Sequence, residues 1–302
     1  GILLDGIWNI RKEKGFTSHD VVAVVRKILH TKKVGHTGTL DPDAEGVLPI
    51  CVGKATKLSE IIMDGTKVYR AMVRLGITTT TEDASGEVVE QKEVHWDEDA
   101  IREATQQFVG EIAQVPPMYS AIKVHGKKLY ELAREGKEIA RKARTVTIYG
   151  IQICRFLPPD RFEMEIACSK GTYIRTLCSD IGVKLGCGAH MESLIRTRTG
   201  TFRLEDAITL EELKTLAEEG KAEEAMLSME AALTGYPRIT VSAASTKLLY
   251  HGAKIYQGYY HCEQPLSAGT VAAVFDSRKN LVGLYTVQKE ETVYIKPYKM
   301  LI

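Results

Sequence analysis

An α+β fold followed by a small all-β module is what this sequence predicts, and three observations predict it. Apolar residues alternate over 67–77 and again at Phe162, Met164, Ile166 and Cys168, the period of a strand. They recur at 3–4 spacing over Val21, Val22, Val25, Ile28 and Leu29, and over Ile174, Leu177, Ile181 and Leu185, the period of a helix. After Gly235-Tyr236-Pro237 only short β-type runs follow, around 238–241, 270–275, 281–287 and 292–296, split by Gly, Asn and Pro. The 302 residues therefore divide into a larger part, 1–235, and a small barrel or sandwich, 236–302.

Taken in order, residues 5–11 read as a strand, and Thr17 or Ser18 caps the first helix. Residues 34–56 read as one Gly- and Pro-punctuated stretch, too long for an idle turn. In 67–77, Tyr69, Ala71, Val73 and Leu75 share one face, with Arg70, Met72 and Arg74 opposite. Asp97 caps a helix with Ile101, Ala104 and Phe108 inward, and Val115-Pro116-Pro117-Met118 breaks the chain after it. Ser169-Lys170-Gly171 turns a strand into the 174–185 helix, and two acidic helices are expected at 209–219 and 221–233.

Composition sets the class. Hydrophobic residues make up 44% and charged residues 26%, ordinary for a chain with a buried core. No run of 18 apolar residues occurs and the start shows no basic-then-apolar leader, so a cytoplasmic protein is expected, with no membrane partner. Six scattered cysteines without a CxxC pair read as reduced thiols, and the Cys187/His190 pair lacks the second half of a zinc site. The net charge of +1 hides a pattern: 204–235 holds nine acids against two bases, 236–302 eight bases against four acids, and 123–144 eight bases against three acids. A basic strip can hold a phosphate backbone although the total charge is near zero.

Cofactor signatures are missing. Gly53-Lys54-Ala55-Thr56 follows Gly46 with six intervening residues where a phosphate loop needs four, and no GxGxxG, GxSxG or HExxH occurs. The densest chemistry is Gly35-His36-Thr37-Gly38-Thr39-Leu40-Asp41-Pro42-Asp43-Ala44-Glu45-Gly46-Val47-Leu48-Pro49. Pro42 restrains Asp41 toward an extended conformation, so such a loop can hold one carboxylate rigidly. Composition alone leaves it open to a purely structural reading, since Asp often bonds nearby backbone. A carboxylate enzyme without a cofactor and a non-enzymatic RNA binder both remain.

The 35–49 segment resembles the catalytic motif of the TruB family of tRNA pseudouridine synthases. Lys67-Val68-Tyr69-Arg70-Ala71 resembles its second motif, Pro116-Pro117-Met118-Tyr119-Ser120-Ala121-Ile122-Lys123 its RNA-clasping insertion, and 168–177 its third motif. Leu194-Ile195-Arg196-Thr197-Arg198-Thr199-Gly200-Thr201-Phe202 is similar to the end of its catalytic domain. The tail resembles, more loosely, a PUA domain. The resemblance implies a mixed, largely antiparallel sheet flanked by helices, with a small β-barrel-like RNA-binding domain after it. It implies isomerisation of uridine 55 in the T arm of tRNA to pseudouridine by base flipping, with no cofactor, no metal and no obligatory protein partner, and a monomer.

It also assigns residues. Asp41 is the essential carboxylate, whether it attacks the sugar, attacks the base or assists elimination. Arg175 pairs with Asp41 and orients it, and it lies off the apolar Ile174/Leu177/Ile181 face of its helix. Tyr69 stacks on the flipped uracil and helps remove the C5 proton. His36 occupies the space the uridine leaves, Tyr173 and Leu194 wall the base pocket, and Lys57 touches RNA backbone. Lys123, Lys127 and Lys128 belong to the basic insertion, 123–144, that clamps the T stem-loop, while 236–302 reaches the acceptor end and the acidic segment faces away. A guide-RNA particle subunit and an RNA chaperone are the competing readings, and help with tRNA folding is compatible with catalysis.

Overall fold

Alternation on the first strand places Trp8 and Ile10 on one side and Ile7 on the other, and all three are buried. Both faces of the sheet are therefore covered at this strand. The computed structural model describes residues 4–117 and 141–302, and of the stretch between them only the backbone at 123–124 and 127–128.

The strands of the larger part are β1 (Gly6–Lys12), β2 (Val34–His36), β3 (Glu45–Val52), β4 (Lys67–Leu75), β5 (Ile77–Thr79), β6 (Val88–Gln91), β7 (Gly110–Gln114), β8 (Lys123–Val124), β9 (Lys127–Lys128), β10 (Arg144–Leu157), β11 (Arg161–Cys168), β12 (Ala189–Thr199), β13 (Phe202–Arg203) and β14 (Met226–Ser228). Its helices include α1 (Ser18–Leu29), α2 (Ser59–Met63), α3 (Glu98–Gln106), α4 (Ile174–Leu185), α5 (Leu210–Glu218) and α6 (Met229–Ala232). One ten-stranded sheet runs β14-β1-β3-β12-β4-β11-β10-β7, with β2 on β3 and β13 on β12. All its pairings are antiparallel except β3 with β12, where Ile195 faces Glu45 and Arg196 faces Gly46. The fold is the mixed, largely antiparallel α+β arrangement that the resemblance implied.

Local rules explain the elements. Thr17 and Asp20 close a reciprocal capping box at the start of α1, and Asp97 accepts from the Ala100 amide at the start of α3. Phe162, Met164, Ile166 and Cys168 of β11 all point inward and are fully buried. One core joins the sheet's first face (Trp8, Ile10, Leu48, Ile50, Val73) to α1 (Val21, Val25) and α4 (Leu177, Ile181). Each such side chain contributes roughly 1.5–3 kcal/mol by leaving water.

The opposite face is covered by the C-terminal module. Its strands are β15 (Arg238–Val241), β16 (Ile255–Tyr256), β17 (Tyr260–His261), β18 (Val271–Phe275), β19 (Leu281–Lys289) and β20 (Val293–Met300), in a barrel-like sheet ordered β16-β20-β19-β18-β15-β17. Ala273, Phe275, Leu284 and Leu301 from this module pack with Ile7, Val47, Cys51 and Leu58 from the first part. No helix among the described residues is long and apolar enough to cross a membrane.

Two expectations are corrected. The 34–56 stretch contains β2 and β3, leaving 37–44 as the loop, because Val47, Leu48, Ile50 and Val52 find both sheet faces buried. The acidic helix expected over 221–233 is instead a 3₁₀ turn (Ala222–Ala225), strand β14 and the four-residue α6: pairing with β1 outweighs helix propensity there. The basic insertion falls largely outside the described residues, as do the side chains of Lys123, Lys127 and Lys128.

Gly46 tests the joint between β3 and β12. Its φ is +125°, and a Cβ there would sit 2.1 Å from the Arg196 carbonyl oxygen. Gly46→Ala is expected to lower stability by at least about 2 kcal/mol in urea unfolding; an unchanged midpoint would refute this close approach.

Candidate active site

The loop between β2 and β3 is held at nearly every residue. Thr37 Oγ1 donates to the Pro49 carbonyl at 3.0 Å, the Leu40 amide donates to Ser18 Oγ at 3.0 Å, and Leu40 and Ala44 are buried. The Ala44 amide donates to the Asp41 carbonyl at 2.9 Å, closing a β-turn with Asp first and Pro second, the positions those residues favour. The turn leaves Asp41 exposed while fixing its backbone.

Asp41 opens onto a cleft of about 170 Å³ that also meets Lys14, Asp43, Asp83, Glu192 and Leu194. Asp83, in its lining, has Oδ2 3.7 Å from Arg175 Nη1. Both groups are largely buried, so the pair is poorly screened and orients Asp83 as well as Arg175. Arg175 also lies 5.8 Å from the Tyr173 ring centroid. Arg175 is only 7% exposed although it lies off the apolar face of α4, and an ion pair with Asp83 accompanies its burial.

The other named residues take different places in the fold, and Leu194 joins Asp41 in the cleft lining. Leu194 is buried, between two irregularities of β12 at Met191/Ser193 and Arg196/Arg198 that re-aim the strand. Tyr173 caps α4 with both backbone groups engaged by Gln114. Tyr69, on β4, stands cross-strand from Arg196; burial raises its pKa, so the phenol is protonated at neutral pH.

His36 accepts the Gly38 amide on Nδ1 at 3.3 Å and meets His19 edge-on at 5.6 Å. Burial lowers its pKa first, with His19 and Arg196 adding to the effect. Lys57 donates to the Met300 carbonyl at 3.0 Å, and Lys299 returns a bond to the Lys57 carbonyl at 3.0 Å. Lys57 thus stitches the two sheets together, a placement its reading as an RNA-backbone contact did not foresee.

Three residues escaped sequence reading. Lys12 is fully buried, and its ammonium donates to the carbonyls of Phe16 at 2.6 Å, Glu13 at 3.1 Å and Pro42 at 3.2 Å. Burial lowers its pKa, while Asp41, Asp43 and Glu45 oppose that shift. Arg196, 1% exposed, donates Nε to the Val47 carbonyl at 2.9 Å. Both are long cations within strands that are otherwise largely buried. Asp83 sits in a polar turn, and nothing local marks it.

The fold is shared with solved structures. A Cbf5–Nop10–Gar1 complex superposes with a TM-score of 0.77 at 29% identity, covering 98% of this chain and 85% of the other. An H/ACA RNP bound to a substrate RNA containing 2'-deoxyuridine matches with a TM-score of 0.77 at 27% identity, covering 98% and 85%. At the sequence level the class is a pseudouridylate synthase: residues 26–174 match the TruB family pseudouridylate synthase N-terminal domain, and 175–234 match the tRNA pseudouridylate synthase B C-terminal domain. A tRNA pseudouridine synthase B of Alkaliphilus oremlandii is 50% identical over 99% of both chains, and that of Halalkalibacterium halodurans 42% identical over 99% of this chain and 98% of the other. The chain belongs to the TruB family of pseudouridylate synthases.

The buried state of His36 predicts a pH effect. Its folded pKa lies below the ordinary 6.5, so the unfolded chain takes up the proton first, and stability is lost as pH falls below that value. Between pH 7 and 5, urea midpoints are expected to fall further for the wild type than for His36→Gln. Parallel curves would show that His36 does not resist protonation in the folded chain.

Proposed function

We propose that this chain isomerises uridine 55 in the T arm of tRNA to pseudouridine, acting alone. One observation carries the reading: a turn-fixed carboxylate, Asp41, on a cleft also lined by Asp83, which pairs with the buried Arg175. The likeness to relatives named tRNA pseudouridine synthase B supports the substrate.

The reaction breaks the N1–C1′ bond, turns the uracil and forms C5–C1′; the C5 proton leaves and N1 gains one. The uridine flips out of its stack to reach Asp41. The Asp41 carboxylate meets the reacting centre, as carboxylates do at glycosidic carbons. Arg175, held by Asp83, orients Asp41 toward the reacting centre. Tyr69 stacks on the uracil, and its neutral phenol suits that task. Tyr173 and Leu194 confine the base, and His36, neutral and half-buried, occupies the vacated space. Lys123, Lys127 and Lys128 hold phosphates of the T stem, and the basic 236–302 module extends the contact toward the acceptor end. The acidic segment 204–235 lies away from RNA. The likeness to a Cbf5–Nop10–Gar1 complex favours, as a second reading, a subunit of a guide-RNA particle.

The test uses a uridine-labelled T-arm stem-loop and the protein alone, with digestion and detection of pseudouridine. Wild type is expected to give product and Asp41→Asn none. Tight binding without product from the wild type would favour the partner-dependent subunit or an RNA chaperone. Asp83→Asn is expected to bind the stem-loop normally and to slow the single-turnover rate by about 10²-fold, the scale of an ångström-level misplacement of reacting groups. A rate within threefold of wild type would remove Asp83 from the machinery.

A further inference from the structure

We propose that Arg196 is the positioning residue that holds Asp41 and Tyr69 in one geometry. The inference rests on the isomerase reading above and adds a residue to it.

Arg196 touches both shoulders of the Asp41 loop. Nε donates to the Val47 carbonyl at 2.9 Å, six residues after Asp41, and Nη2 donates to the Gly38 carbonyl at 3.3 Å, three residues before it. Its backbone forms the parallel pair with Gly46, so the same residue closes on the loop through main chain and side chain. On its other side Arg196 is the cross-strand partner of Tyr69, and cross-strand partners share a face of the sheet. Burial raises the pKa of the phenol, and the neighbouring guanidinium opposes part of that effect. One planar group with five donors in a fixed fork thus bonds two points of the loop's shoulders while standing beside Tyr69, an arrangement a lysine, with a single charged centre, cannot reproduce.

The charge is unusual as well as the geometry. Arg196 is 1% exposed, and the hydrogen bonds it donates end on carbonyl oxygens, with no ion pair to a carboxylate among the described residues. Its field reaches across the site, lowering the pKa of His36 and helping burial to bring Lys67 down to about 8. A fold in need of packing alone is served better by an apolar residue at such a position. A cation kept there, and aimed at the loop and the tyrosine, holds the two parts in register.

The decisive experiment is a double-mutant cycle on single-turnover product formation with the T-arm stem-loop. Arg196→Lys is expected to bind RNA within threefold of wild type and to react at least 30-fold more slowly. Tyr69→Phe, which removes one oxygen and keeps the ring, is also expected to slow the reaction. The double variant is expected to be far faster than the product of the two losses implies, because each removes the same link. Additive losses, or an Arg196→Lys rate within threefold of wild type, would overturn the proposal. Circular dichroism and melting check the fold of each variant. Should Arg196→Lys not fold, ¹⁵N-arginine-labelled Tyr69→Phe decides: a slowly exchanging guanidinium signal is expected to move relative to wild type, and no movement would overturn the link. Wild-type protein that makes no pseudouridine would sink the isomerase reading itself, while the arginine signals would still report whether Arg196 bonds Tyr69.

Discussion

Two residue pairs, Ile195 with Glu45 and Arg196 with Gly46, join the halves of the large sheet. On one side stand β14, β1 and β3; on the other, β12, β4, β11, β10 and β7. The contact is parallel, short and tight enough that a side chain at Gly46 has no room. The Asp41 loop ends at this joint, so its placement depends on where the halves meet. A glycine is required by the distance between backbones, and the cleft follows from it.

Charge is buried around the joint to a degree that stability alone does not explain. Lys12 and Arg196 both lie inside, each satisfied by carbonyl oxygens of the loop or its flanks. Burying an ion costs several kcal/mol after relaxation, and hydrogen bonds to carbonyls repay only part of it. Arg175 differs, since Asp83 pairs with it. Asp41, Asp43 and Asp83 line one cleft that must admit a polyanion, with Lys12 in electrostatic reach of Asp41 and Asp43 and Arg175 paired to Asp83. Fixed positive charge beneath and beside the carboxylates offsets that repulsion without exposing more lysines to solvent.

The C-terminal module is a structural partner as well as a basic surface. Phe275, Leu284 and Leu301 fill the back of β1 and β3, and Lys57 and Lys299 exchange bonds to each other's chain segments. The back face of the strands that flank the Asp41 loop is therefore packed against the module. Rigidity at the loop and the presence of the module are linked through that shared core.

Much of this was legible in the sequence. Period-2 alternation marked β4 and β11, 3–4 spacing marked α1 and α4, and Asp-Pro inside a Gly-rich segment marked the loop, because local sterics act within a few residues. Tertiary structure alone decided the rest. The loop is shorter than its Gly and Pro content implied, since its flanks pair with each other, with β1 and, through two residues, with β12 about 150 positions later. The acidic stretch after 220 lost its helix to β1. Arg175 turned inward because Asp83, about 90 positions earlier in the chain, was there to meet it. Lys57 met Met300 for the same reason. Spacing along a chain encodes which face a side chain takes; which charge it meets there depends on contacts between distant segments, and only the folded chain brings those together.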